Sequence, residues 1–265
     1  MEATKNKETI MDIQAYLSRI GMANTPVTHT YAFLARLQWQ HICTVPYENL
    51  DILNGIPLSL DADALYDKIV TRHRGGYCFE LGGALSALLK EMGFSVTNYM
   101  ARFLKNETNI PVRRHRVIAV ECEGKRYICE VGIGQNAPRV PLLLEEGIEQ
   151  EAMGECYRFI REPFLGWVLY EKKEGEWRRY YSFTEEEQLD IDYIQPSFYC
   201  EKHPDSPFHQ SVMVAIKTPT GRCAINGRDY KVFAGDSLVS MEENVSDERL
   251  YTLLREVFGI EWRRG

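Results

Sequence analysis

The chain has 265 residues and a formal charge of −7, long enough for one complex domain or two to three small ones. Its acidic balance argues against a general nucleic-acid binder, whose electrostatic footprint would be basic. Hydrophobic content of 45% and charged content of 26% are those of an ordinary globular protein.

Residues 1–8 are polar and lack an apolar h-region, so no signal peptide is expected. No stretch reaches the roughly eighteen apolar residues of a membrane span. The seven cysteines are scattered and form no C-x-x-C pair. Reduced thiols and a cytoplasmic location are therefore expected, with every cysteine but Cys78 a small buried hydrophobe.

The first ninety-odd residues read as helices. Asp12 can cap a segment carrying Ile13, Tyr16, Leu17 and Ile20, ended by Gly21. A second helix runs from about Thr28 with Tyr31, Leu34, Leu37, Gln38 and His41, until Pro46 breaks it. Residues 61–71 make a third, with Leu65, Tyr66, Ile69 and Val70 on one side. A fourth begins at Cys78 and stops at Gly93, with Leu81, Ala84, Leu85, Leu88, Leu89 and Met92 as its apolar face.

After Gly93 the pattern changes to short alternating or β-rich runs: 94–103, 116–122, 126–131, 167–170, 177–183, 210–217 and 230–233. Turn signals at Glu123-Gly124, Glu174-Gly175, Pro219-Thr220-Gly221 and Asn226-Gly227 separate them, as a meandering sheet or barrel requires. The C-terminus turns helical again, with Ser246 as N-cap, Asp247 and Glu248 in the first turn, and Leu250, Leu253, Leu254 and Phe258 on one face. Pro204-Asp205-Ser206-Pro207 is the best candidate boundary.

Cys78 is the most informative residue. In Arg74-Gly75-Gly76-Tyr77-Cys78-Phe79-Glu80 the two glycines permit a tight backbone approach. A thiol at a helix N-terminus feels unpaired N–H groups and the positive end of the helix dipole, which favour thiolate. A reactive cysteine needs a base, and the base an orienting group. Of six histidines, His115 stands out by register. Residues 115–122 and 125–132 read as two strands around Glu123-Gly124. Cys122 then faces Lys125, Val117 faces Glu130 and His115 faces Gly132. His115 and Glu130 therefore share a face as diagonal neighbours, about 7 Å apart at Cα. Glu130 also interrupts the apolar run Tyr127-Ile128-Cys129-x-Val131, where a buried carboxylate needs a partner.

The motifs resemble those of the arylamine N-acetyltransferase family. They are Val45-Pro46-Tyr47-Glu48-Asn49-Leu50-Asp51, Pro57-Leu58-Ser59-Leu60, the Cys78 motif and His115-Arg116 before a strand. Val131-Gly132-Ile133-Gly134 with Pro138 and Pro141-Leu142 follows, then Ser206-Pro207-Phe208. The resemblance implies an α+β fold: an N-terminal helical bundle (1–94), a central antiparallel β-barrel (95–203) and a C-terminal α/β lid (204–265). The resemblance also implies a cysteine-protease-like Cys-His-acid core. The triad would be Cys78, His115 and Glu130, with Glu where the family usually has Asp. Tyr47, Phe79, Phe103, Gly132, Ile133, Gly134 and Phe208 fall at substrate or CoA positions. Ile133 stands where Phe is common, and Gly82 where Asn is usual. Arg74 and Glu48 look like a structural ion pair, and the basic run Arg113-Arg114-His115-Arg116 reads as a solvated strand edge.

The function implied is ping-pong acetylation of arylamines and arylhydrazines through acetyl-Cys78. Acetyl-CoA is a co-substrate, and no cofactor or metal is bound. No nucleic-acid or membrane partner is expected, and the protein should be a monomer or weak homo-oligomer. A thiol amidase or transglutaminase-like enzyme would use the same residues without CoA, and a non-catalytic descendant would keep only binding. A zinc module built on His41, Cys43, His73 and Cys78 fits no tetrahedral ligand spacing.

Overall fold

The computed structural model describes residues 11–263. Helices α1 (Ile13–Arg19) and α2 (Tyr31–Thr44) lead into a two-residue strand, β1 (Tyr47–Glu48), then short helices α3 (Leu50–Leu53) and α4 (Ala62–Tyr66). A turn of π-helix, Asp67–Thr71, continues α4, and α5 (Cys78–Glu91) follows. Strands β2 (Ser95–Phe103), β3 (His115–Cys122), β4 (Lys125–Cys129), β5 (Leu142–Leu143), β6 (Gln150–Ala152), β7 (Glu155–Glu162), β8 (Gly166–Lys173) and β9 (Glu176–Glu187) come next. Helix α6 (Ile194–Lys202) leads to β10 (Met213–Thr218), β11 (Gly221–Asn226), β12 (Asp229–Ala234), β13 (Ser237–Glu242) and α7 (Asp247–Phe258).

Local chemistry accounts for the helix ends. The Asp12 carboxylate accepts from Ala15 N–H at 2.9 Å, and α1 is followed by Gly21 at φ +76°. Thr30 caps α2, accepting from Phe33 N–H at 3.3 Å, so the helix starts slightly later than about Thr28. Ser246 caps α7, which ends on Gly259 in the left-handed conformation. Leu81, Leu85, Leu88 and Leu89 of α5 join Leu34 and Leu37 of α2 and Ile118 and Val120 of β3 in the main core.

Strands β2 to β9 form an antiparallel sheet ordered β5-β4-β3-β2-β9-β8-β7-β6, a nearly closed eight-stranded barrel. A side chain spans the seam: the Gln150 amide accepts from Leu143 N–H at 2.7 Å and donates to Leu143 C=O at 2.8 Å. That occupies backbone groups an open edge would leave unpaired. The barrel interior is aromatic, with Tyr157, Phe159, Tyr180, Tyr181 and Phe183 nearly fully buried.

The second sheet is ordered β1-β10-β11-β12-β13. Its first strand comes from the segment before Cys78, with Tyr47 paired to Ala215 and Glu48 to Val214. Asn49 reinforces the join: its amide donates to Phe208 C=O at 2.9 Å and Ser211 C=O at 2.8 Å, and accepts from Met213 N–H at 2.8 Å. Helix α7 covers this sheet through Leu250, Leu253, Leu254 and Phe258. No helix among the described residues is long and apolar enough to cross a membrane.

Candidate active site

Cys78 is the first residue of α5. The chain reaches it through a contact only glycine allows: a Cβ on Gly75 would lie 1.9 Å from the Pro46 carbonyl oxygen. The adjacent Gly76 C=O accepts from Glu48 N–H at 2.9 Å. Behind the turn sits a buried charge network. Arg74 holds Glu48 at 2.7 Å and Asp51 at 2.9 Å, while Lys68 holds Asp51 and Glu80, both at 2.7 Å. Glu80 also accepts from Tyr77 N–H at 3.1 Å, closing the first turn of α5. Burial disfavours the Lys68 ammonium, yet the Glu80, Glu48 and Asp51 carboxylates raise its pKa above the ordinary value. Removing Lys68 or Arg74 would leave Glu80 or Glu48, respectively, as a buried carboxylate without a cationic partner. The Arg74–Glu48 pair follows the sequence reading; Lys68, on an apolar helix face, was not anticipated.

Cys78 is 4% exposed, and its thiol meets the Arg114 carbonyl oxygen at 3.6 Å. Burial, then Cys200 and Glu130, push this thiol well above its ordinary pKa; the Phe79 N–H and Arg114 pull the other way without prevailing. The helix N-terminus favours thiolate, as the sequence implied, but burial outweighs it. A thiolate here needs a base that takes the proton and stays beside it as a cation.

His115 is placed for that. Strands β3 and β4 pair as the turn requires, with Cys122 opposite Lys125 and Ile118 opposite Cys129. Glu123 and Gly124 both have positive φ (51° and 73°), the signature of a two-residue type I′ turn. Regular pairing stops at Cys129, so Glu130 lies one residue beyond the strand rather than within it. Its Oε2 nevertheless meets His115 Nε2 at 2.7 Å, with both side chains at most 4% exposed. Its Oε1 accepts from Gly132 N–H at 2.7 Å. With Nε2 engaged, Nδ1 is the ring nitrogen left for the thiol.

Gln38, also missed by the sequence reading, secures the loop. It is 1% exposed, accepts from Glu130 N–H at 2.9 Å and donates to Pro138 C=O at 2.8 Å. One amide thus ties both ends of the segment 130–138.

Cys78 and His115 open onto a cleft of about 250 Å³ lined by Tyr47, Phe103, Gly132, Ile133, Gly134 and Phe208, among others. Gly132 lies against Cys78, where a Cβ would come within 3.0 Å of its Cα and C=O. Gly134 has φ +62° and sits 3.0 Å, at its Cβ position, from the Tyr47 ring. Among the described residues no group of three or more His, Cys, Asp or Glu is placed to hold a metal ion.

The N-acetyltransferase family model matches residues 30–264. An arylamine N-acetyltransferase from Mycolicibacterium smegmatis is 36% identical over 228 residues, 84% of this chain and 82% of its own. One from Escherichia coli is 30% identical over 247 residues, 92% of this chain and 87% of its own. The chain belongs to the arylamine N-acetyltransferase family. Solved structures agree. The arylamine N-acetyltransferase of Salmonella typhimurium matches with a TM-score of 0.90 at 28% identity, over 95% of this chain and 92% of that one. The Mycobacterium marinum arylamine N-acetyltransferase in complex with CoA matches at 0.87 and 30% identity, over 94% and 93%.

Two features of this arylamine N-acetyltransferase family member depart from the sequence reading. The Phe79 side chain is fully buried between the Tyr77 and Tyr193 rings, 5.7 and 5.6 Å away, and does not line the cleft. Only its N–H faces the Cys78 sulfur. The basic run is no solvated edge: Arg116 is 3% exposed, bonded to Asn98 at 3.1 Å and Asp190 at 2.5 Å, and stacked over Tyr193 at 4.4 Å. Its side chain packs on Gly82, whose Cβ would lie 3.3 Å from it, so the small residue at 82 makes room for this arginine.

Proposed function

We propose that this protein transfers an acetyl group from acetyl-CoA to aromatic amines and hydrazines by a ping-pong route through acetyl-Cys78. The observation that carries this reading is a buried thiol sharing an apolar cleft with an imidazole held by a carboxylate, in a chain of this family. His115 takes the thiol proton, and the sulfur attacks the thioester carbonyl. The N–H groups of Cys78 and Phe79 stabilise the oxyanion. As the tetrahedral intermediate collapses, the CoA thiolate leaves with the proton from His115. The amine then attacks acetyl-Cys78, His115 removes its proton, and the Cys78 thiol is regenerated. Glu130 keeps Nε2 protonated and supports the imidazolium.

An aromatic amine is weakly basic and neutral at pH 7, so its lone pair is free to attack. Tyr47, Phe103, Ile133 and Phe208 supply faces for its ring, with Gly132 and Gly134 keeping the wall thin. We assign the protein to the cytoplasm and take it as a monomer or weak homo-oligomer. Incubation with acetyl-CoA followed by intact-mass measurement tests the reaction class. One acetyl group should be gained by the wild type and none by Cys78→Ala. Equal acetylation of both proteins would remove Cys78 from the mechanism.

A further inference from the structure

Helix α6 inverts the usual amphipathic pattern. Its buried face is Ser197, Cys200 and Glu201, while Ile194 and Phe198, one turn apart, are 55% and 63% exposed. A helix on the surface of a globular protein ordinarily turns its apolar stripe inward. Here the polar inner face has partners of its own: Ser197 Oγ meets the Tyr77 hydroxyl at 2.6 Å, and Glu201 accepts from Leu58 N–H at 3.3 Å. The turn leading into α6 adds Leu189 and Ile191, 65% and 68% exposed. Ile191, Ile194 and Phe198 line a groove of about 480 Å³, together with Leu58 and Leu60 from the segment 58–61. On a scale of roughly 200 Å² for a fully exposed large side chain, the four outward residues present about 500 Å² to solvent.

We infer that this face is where two copies of the chain meet, α6 against α6 about a two-fold axis. The inference rests on the weak homo-oligomer of the reading above and gives it a surface. Charges of both signs stand around the groove. Asp61, Asp190 and Glu201 line it, with Lys90 3.6 Å from Asp190 and Lys202 2.6 Å from Glu201. A two-fold contact lays a patch upon itself. A patch of one sign would repel its copy, whereas this one sets the lysines of one copy against the carboxylates of the other. Those carboxylates also disfavour an anionic bilayer as the occupant. The area agrees: two such faces bring together about 1,000 Å² of apolar surface, near the lower end of what a specific protein pair buries. That suits an association which comes and goes with concentration. Among the described residues the groove and the cleft at Cys78 share no lining residue, so filling the groove takes no wall from the cleft.

Sedimentation velocity of the full chain over about 1–100 µM, the range of a weak specific pair, reads the association. The wild type should pass from monomer to dimer across this range. Phe198→Asp should raise the midpoint by at least about tenfold, because it sets a carboxylate from each copy into the centre of the contact. Ile194→Ser, a milder change at an exposed position, should raise it as well. Val239→Asp is the control for other apolar surfaces: it lies on the exposed edge strand β13 and should leave the midpoint unchanged.

Acetylation of Cys78 at low protein concentration should be alike in all four proteins, which shows that each variant is folded. A wild type that stays monomeric throughout overturns the inference and leaves the face to a different protein. A dimer indifferent to both Phe198→Asp and Ile194→Ser, or one lost on Val239→Asp, overturns it by placing the contact elsewhere. A wild type that gains no acetyl group from acetyl-CoA refutes the acyl-transfer reading instead, and the sedimentation result still decides the surface.

Discussion

Glu130→Gln is the substitution on which the triad turns. The Glu130 carboxylate serves two donors, His115 Nε2 through Oε2 and Gly132 N–H through Oε1, each at 2.7 Å. Both positions need an acceptor, and a glutamine has only one oxygen to give. If the oxygen faces His115, the amide NH₂ confronts the Gly132 N–H. If it faces Gly132, the NH₂ confronts Nε2 and forces the proton onto Nδ1, the nitrogen that should take it from sulfur. A hydrogen bond to a charged group is worth about 1.5–3 kcal/mol. At about 1.4 kcal/mol per tenfold, acetylation of Cys78 should slow by between tenfold and about 150-fold. The assay is single-turnover acetylation by acetyl-CoA, followed by intact mass at pH 7. The pH dependence of iodoacetamide alkylation runs beside it. Burial already pushes the Cys78 thiol up, so weakening the imidazolium should move the alkylation midpoint further upward. Glu130→Asp keeps the charge and both acceptors and should lose less than Gln. A wild-type acetylation rate and midpoint in the Gln variant would refute the reasoning and return Glu130 to an ordinary buried carboxylate.

Gln38→Leu strands the Glu130 N–H and the Pro138 C=O, so urea unfolding should show a loss of about 2 kcal/mol together with a shifted acceptor KM; unchanged stability and KM would make the strap superfluous. Ile133→Phe, the residue common in the family, should alter relative KM among arylamines by about three- to tenfold and more than it alters Cys78 acetylation. Collapse of the acetylation half-reaction instead would assign this loop to the acyl donor. His41 is fully buried, with its Nε2 2.9 Å from the Tyr16 hydroxyl, and burial followed by the Arg19 charge lowers its pKa to about 3. The unfolded chain takes up that proton near the ordinary value of 6.5. Stability is therefore full above that pH and declines as pH falls towards 3, by about 2 kcal/mol between pH 7 and 5. Urea titrations of His41→Gln should show a shallower decline, and an unchanged slope would clear His41.

The hairpin that builds the triad was legible because register follows from turn length, and the alternation of residues 115–122 left one phase for a buried face. Helix α5 was legible from its apolar spacing and its glycine stop. Strand β13 was not, since every residue from Ser237 to Met241 is exposed on the edge of its sheet and no burial pattern exists to read. Helix α6 was hidden by Pro196, which sits in its first turn, where a missing N–H does no harm. Strand β7 alternates Tyr157 and Phe159 inward, but its flanking Arg and Glu residues masked the period. Gln38, Lys68 and Arg116 share a different difficulty. Each is a polar residue at a buried position, and its partners lie 92 and 100, 12 and 17, or 18 and 74 positions away in the chain. Nothing local to such a residue distinguishes an interruption of the core from a clasp within it.

The two-residue strand β1 ties the C-terminal sheet to the turn before Cys78. It is zipped to β10 on one side, bridged to Gly76 on the other, and followed at once by the three Asn49 hydrogen bonds. A hinge that swung the C-terminal sheet away from Cys78 would rupture the β10 pairing and the Asn49 hydrogen bonds together and drag on the turn before Cys78. The wall carrying Val214 and Ala215 is thus fastened to the segment that leads to Cys78. The short 3-10 turn Gly134–Asn136 lines the same cleft, and its displacement would break no sheet. A C-terminal sheet anchored in this way holds its wall of the cleft in fixed register with Cys78.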